Sequence, residues 1–138
     1  MQLVIIAGGK GTRLKEILGD RPKPMVEVGG KPLVEHQVLL ARKYGIRDVL
    51  ILTGYGADYI ENFFGDGSAW DVRIRYQRES RPLGTAGALL DAVDKLGDTF
   101  IVMYGDTMMC APTSVIPSWS NAFLAVMTYR AVRLGAPR

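Results

Sequence analysis

The stretch Leu3-Val4-Ile5-Ile6-Ala7-Gly8-Gly9-Lys10-Gly11-Thr12-Arg13-Leu14 constrains the fold more than any other. Four apolar residues in a row, three of them β-branched, specify a strand covered on both faces, the usual condition of a parallel sheet. Gly8, Gly9 and Gly11 follow at once. A loop with few Cβ atoms turns sharply and lets its backbone approach a ligand. Successive N–H groups in such a loop form an anion-binding concavity, and Arg13 adds a charge that forks onto phosphate oxygens. The loop taken alone fits two readings equally, a polyphosphate cradle or an ordinary glycine-rich turn after a strand.

Two better-known phosphate loops are excluded. The P-loop needs a Gly-Lys pair followed by Ser or Thr, and Lys10 is followed by Gly11. The dinucleotide fingerprint would begin at Gly9 and Gly11, but Leu14 stands where its third glycine belongs. A nucleoside triphosphate is the polyanion such a cradle suits.

With 138 residues, the chain is long enough for one domain with a core. Residues 1–106 hold equal numbers of acidic and basic side chains, and the net charge of +3 comes from Arg130, Arg133 and Arg138. No basic face argues for nucleic acid. No apolar run approaches the ~18 residues of a membrane span, and no signal peptide is evident. The lone cysteine, Cys110, makes the cytoplasm the expected compartment.

Further along, Pro22 and Pro24 flank Lys23, and each proline biases its predecessor toward extended geometry. Lys23 on a stiff mount suits delivery of a point charge to a phosphate; by itself it also reads as a solvated loop lysine. Met25 to Val28 predicts a short strand. Pro32 marks the first turn of a helix with Val34, Val38 and Ala41 inward, broadened by Leu33, Leu40 and Tyr44, and ended by Gly45. His36 lies in that helix and is given no role. Asp48 to Thr53 predicts a core strand. A short helix carrying Ile60, Phe63 and Phe64 follows, and then a strand in which Val72, Ile74 and Tyr76 alternate with a wet face of Arg73 and Arg75. Thr85 is placed to cap a helix whose buried stripe is Ala86, Leu89, Leu90 and Val93. Thr99 to Tyr104 predicts another core strand. Gly105-Asp106 lies at its carboxyl end, where open parallel sheets bind ligands.

Ala7-Gly8-Gly9-Lys10-Gly11-Thr12-Arg13-Leu14 with Arg21-Pro22-Lys23-Pro24-Met25 resembles the signature of sugar-1-phosphate nucleotidylyltransferases. The likeness continues through Gly29-Gly30-Lys31-Pro32-Leu33, Leu83-Gly84-Thr85-Ala86-Gly87 and Tyr104-Gly105-Asp106. It implies a three-layer α/β domain, Rossmann-like, with a mostly parallel sheet and helices on both faces. It also implies a reaction between a nucleoside triphosphate and a sugar 1-phosphate that releases pyrophosphate. Arg13, Lys23 and Asp106 become the catalytic candidates. Ala7, Gly8, Gly9, Gly11, Thr12 and Arg13 become the phosphate-binding loop, and Glu79, Gly84 and Thr85 the base-reading loop. Asp106 becomes the ligand of Mg²⁺, the expected cofactor; the alternative is a capping or turn aspartate.

Glu79 stands where the family places a base-reading polar side chain. An ionised carboxylate only accepts hydrogen bonds. Guanine offers two adjacent donors, N1–H and N2–H, whereas uracil and thymine offer one N–H between two carbonyls. GTP is therefore favoured, and mannose- and heptose-1-phosphate guanylyltransferases are the nearest likeness. The competing reading pairs Glu79 with Arg78 or Arg81 on the surface.

The motifs that carry the likeness end at Asp106, the last carboxylate of the chain, and the family pattern is not expected beyond it. Residues 107–138 form an atypical tail with Pro112, Pro117 and Pro137 and an apolar run from Ala122 to Tyr129. The expectation is a nucleotidyltransferase core over residues 1–106, followed by a truncated or frame-shifted tail. Two alternatives stand beside guanylyl transfer: an inactive nucleotide-binding remnant, and a cytidylyl-, uridylyl- or thymidylyltransferase.

Overall fold

The computed structural model describes residues 1–11, 19–107 and 129–130. Ten regular elements are defined there: β1 (Gln2–Ala7), β2 (Glu27–Val28), β3 (Lys31–Pro32), α1 (Leu33–Lys43), β4 (Asp48–Thr53), α2 (Ala57–Phe64), β5 (Arg73–Arg78), α3 (Gly84–Asp91), β6 (Thr99–Tyr104) and β7 (Tyr129–Arg130). The main sheet has the order β5-β4-β1-β6-β7. β5, β4, β1 and β6 are parallel and β7 is antiparallel. β2 and β3 form a separate small antiparallel pair.

Alternation along the central strands divides the core in two. Leu3, Ile5, Val49, Ile51, Ile74 and Met103 face one way, packed with Val34, Val38 and Ala41 of α1 and Ile60 and Phe64 of α2. Val4, Leu50, Leu52, Phe100 and Val102 face the other way, against Ala88 and Ala92. The sheet is thus a middle layer with helices on both sides, as the sequence predicted. Burial of Val4, Ile5, Val49, Leu50, Ile51 and Leu52 is complete, which explains why β1 and β4 read as unbroken apolar runs.

Several local expectations are corrected. Met25 is not in a strand: Lys23–Met25 is a 3-10 turn closed by Met25 N–H to Pro22 O at 2.9 Å and Val26 N–H to Lys23 O at 3.0 Å. Those bonds and the burial of Pro24 and Met25 override the proline bias on Lys23. Pro32 caps α1 with extended backbone instead of sitting in its first turn, and Tyr44 caps the other end, exposed. Phe63 is also exposed and lies beside Trp70, their ring centroids 5.4 Å apart. Arg75 is not on an open wet face: its guanidinium reaches Asp48 at 3.1 Å and the Lys95 carbonyl at 3.3 Å.

The predicted stripe of α3 holds in part: Leu89 packs against the core, but the buried centre is shifted. Ala88 and Ala92 are buried, whereas Leu90 is 72% and Val93 56% exposed. Small side chains let this short helix lie close on the sheet, and that gain outweighs burying Leu90. Thr85 makes no cap; Leu83 takes that position without a side-chain bond. His36 Nε2–H donates to the Val28 carbonyl at 2.7 Å, tying α1 to β2.

Candidate functional site

β1 lies between β4 and β6, pairing Ala7 with Thr53 on one side and Ile6 with Tyr104 on the other. The chain leaves β1 toward β4 and β5, then returns across the sheet to β6. The loops after β1 and β6 therefore part at the carboxyl rim, opening the crevice where doubly wound sheets take ligands. Three bonds carry the ladder just past the strands: Gly105 N–H to Ile6 O at 2.9 Å, Glu79 N–H to Thr53 O at 2.8 Å, and a long Tyr55 N–H to Gly8 O at 3.4 Å.

This rim brings together candidates that are far apart in sequence. Ala7 closes β1 and is buried. Gly8 runs directly over Gly54: a Cβ on Gly54 would sit 2.8 Å from the Gly8 carbonyl oxygen and 3.0 Å from its Cα. A Cβ on Gly8 would in turn lie 2.6 Å from Oε2 of Glu79. The Glu79 carboxylate thus reaches the glycine loop itself. Gly9 faces open space. Gly11 has φ +57°, and a Cβ there would meet the Lys23 stem at 2.7 Å, so that position favours glycine on two counts. Gly84 and Thr85 begin α3, and the Thr85 hydroxyl pairs with the Tyr104 hydroxyl at 3.0 Å. Thr12 and Arg13 lie outside the described residues, as does nearly all of the tail.

Lys23 is mounted by its neighbours. The Pro22 ring packs on Gly56 and the Pro24 ring on Gly105, wedging the turn between the loops after β4 and β6. Its ammonium stands 3.8 Å from the Asp106 carboxylate. The Pro-Lys-Pro segment is held by ring packing against two loops, not by extended backbone.

Glu79 does not pair with Arg78. That guanidinium reaches Asp58 at 2.7 Å and Glu61 at 2.9 Å, and its pKa is raised chiefly by the Glu61 and Asp58 hydrogen bonds. Burial, and secondarily the charge of Asp91, hold the Glu79 carboxyl above its ordinary value. Among the described residues no cation pairs with Glu79, and a carboxylate so placed gains most from a ligand that donates hydrogen bonds to it.

Asp106 sits in a turn from Tyr104 to Thr107, closed by Thr107 N–H to Tyr104 O at 3.1 Å. Among the described residues, no group of three or more His, Cys, Asp or Glu side chains could hold a metal ion. A lone, half-exposed carboxylate fits magnesium carried by a triphosphate, because that ion keeps waters and takes phosphate oxygens alongside one or two carboxylates. Sequence reasoning missed Gln37, which is buried in α1 and donates to both the Tyr104 and Thr107 carbonyls. Its only signal was a polar residue at a position between Val34 and Val38.

The chain matches the family described as Nucleotidyl transferase over residues 2–116. It is 37% identical over 136 residues to mannose-1-phosphate guanylyltransferase of Mycobacterium tuberculosis, covering 98% of this chain and 38% of that protein. It is 37% identical over 107 residues to D-glycero-alpha-D-manno-heptose 1-phosphate guanylyltransferase of Campylobacter jejuni, covering 78% of this chain and 48% of that one. The solved structure of HddC from Yersinia pseudotuberculosis, complexed with GMP-PN, aligns with TM-score 0.66 at 38% identity, over 78% of this chain and 48% of that one. Cytidylyl- and thymidylyltransferase names also occur among the similar proteins. The chain spans about half or less of the length of these relatives. No helix among the described residues is long and apolar enough to cross a membrane. With the glycine loop, the Pro-Lys-Pro turn and the Gly-Asp turn meeting at one rim of a parallel sheet, and the match covering most of its length, the chain belongs to the nucleotidyl transferase family, among the sugar-1-phosphate nucleotidyltransferases.

Proposed function

We propose that the chain forms the nucleotide-binding part of a cytoplasmic enzyme that moves a nucleoside monophosphate, GMP ahead of the others, from its triphosphate to a sugar 1-phosphate. A phosphate oxygen of the sugar 1-phosphate forms a bond to the α-phosphorus. The bond from that phosphorus to the bridging oxygen breaks, and pyrophosphate leaves with the electron pair. The nucleophile is already anionic at neutral pH, so positioning and charge neutralisation are what the protein supplies. The observation that carries this reading is the convergence of Gly8, Gly11, Lys23, Glu79 and Asp106 at the switch point of the sheet.

In this reading Ala7, Gly8, Gly9, Gly11 and Thr12 cradle the phosphates, Arg13 neutralises the departing pyrophosphate, and Lys23 steadies the α-phosphate. Thr12 and Arg13 enter on resemblance. Asp106 holds magnesium, which when bound acts as a Lewis acid on phosphate oxygens. Glu79, Gly84 and Thr85 border the base, and the Glu79 carboxylate favours the paired N1–H and N2–H donors of guanine.

The test is pyrophosphate release from GTP, Mg²⁺ and mannose 1-phosphate, followed by binding of GTP alone and of a panel of other triphosphates. Release with GTP supports the proposal. Folded protein that takes up no magnesium-loaded nucleotide overturns it. Binding without release favours a second reading, a nucleotide-binding remnant.

A further inference from the structure

We infer that Gln37 is the positioning residue for Asp106, holding from behind the turn that presents its carboxylate. The inference rests on the proposed metal-holding role of Asp106. Gln37 is 2% exposed and comes from α1, on the helical layer beneath the rim. One amide nitrogen donates to two carbonyls, Tyr104 O and Thr107 O, each at 2.7 Å. An NH₂ group has two hydrogens, so both are spent on this turn. The two acceptors are the first and last residues of the Tyr104–Thr107 turn, with Asp106 between them. A single side chain therefore fixes the span of the turn and with it the direction of the Asp106 side chain.

The cost on the other end of the amide makes a packing role insufficient. Oε1 of Gln37 is buried with no hydrogen-bond partner among the described residues. Leucine or methionine would fill the same space without stranding an acceptor. Flipping the amide offers no escape, because Oε1 would then face two carbonyl oxygens. The nitrogen must be what the position requires. Asp106 is otherwise steadied by Lys23 at 3.8 Å, a contact that phosphates would compete for. Gln37 bonds the backbone of the turn, not the carboxylate, so phosphates do not compete for it. Groups that orient a metal ligand typically change metal affinity about 10- to 100-fold when removed.

The variant is Gln37→Met, which keeps the volume and removes the donors. Amide hydrogen exchange is followed at Thr107 and at core residues Leu50 to Leu52, and Mn²⁺ uptake with GTP is followed by electron paramagnetic resonance. Expected are exchange at Thr107 about tenfold faster with core exchange unchanged, and Mn²⁺ uptake about tenfold weaker. A merely structural residue would speed exchange throughout and leave the local contrast flat. Unchanged exchange at Thr107 overturns the inference, as does unchanged Mn²⁺ affinity despite a loosened turn. If the parent chain takes up no Mn²⁺ with GTP, the proposed function fails, and exchange at Thr107 alone decides whether Gln37 holds the turn. Should methionine unfold the chain, the isosteric Gln37→Glu is put through the same measurements with the same expectation.

Discussion

Replacing Gly54 with alanine is expected to unseat the glycine loop from the sheet. The new methyl group would stand 2.8 Å from the Gly8 carbonyl oxygen, 3.0 Å from its Cα and 3.3 Å from its carbonyl carbon. Ordinary contact begins near 3.4 Å, and all three neighbours are backbone, so no side chain can swing aside. The loop or the end of β4 must shift by roughly half an ångström. Overpacking of this kind costs about 1–3 kcal/mol. For a domain of this size that corresponds to a fall in melting midpoint of roughly 4–12 °C. If the loop moves instead, restoring it on binding costs the same amount, weakening GTP by about five- to 150-fold. Gly9→Ala is the control. Its Cβ meets nothing within 4 Å, so stability should stay within about 0.5 kcal/mol of the parent. Thermal melting and calorimetric titration with GTP read both. A Gly54→Ala chain matching its parent in both, or a Gly9→Ala chain equally destabilised, would refute the reasoning.

Lys23→Ala should change stability by no more than about 1 kcal/mol, because its partner Asp106 is half exposed, while GTP affinity drops markedly; chemical denaturation and calorimetry separate the two. The Glu79 carboxyl titrates above its ordinary value of 4.5 in the folded chain, through burial first and Asp91 second. Its contribution to stability is complete below that ordinary value and is lost as pH rises through the raised one. Glu79→Gln should therefore melt progressively higher than the parent as pH climbs through that window, with no such gain below it, and should bind GTP less well; a pH-independent difference would contradict this. Leu50→Ala, at a fully buried position of β4, should cost about 2–5 kcal/mol in urea unfolding.

The sheet was legible because Val4 to Ile6 and Val49 to Leu52 are apolar whichever face they present, so no choice of face was needed. α3 was misread in part, for the opposite reason. Ala86, Leu89, Leu90 and Val93 satisfy helical spacing, but so do Ala88 and Ala92, and the distance between helix and sheet decides between them. The candidate site was legible as separate loops, since each motif is local. The contacts that join them are not: Glu79 over Gly8, Pro24 against Gly105, and Gln37 under the Asp106 turn all link distant segments. The dual donation of Gln37 leaves no pattern in a string of letters beyond one polar residue on an apolar face.

The register of β1 has a consequence for how such a chain emerges from the ribosome. Gln2 finds one neighbour in Asp48 and the other only in Phe100. β1 is therefore flanked on its second side by a strand made only after β4 and β5. Long-range parallel pairing is slow to form and exposes apolar surface while it waits. Until Phe100 to Tyr104 has been translated and docked, nascent β1 keeps an open flank, and a chaperone would find its best target there.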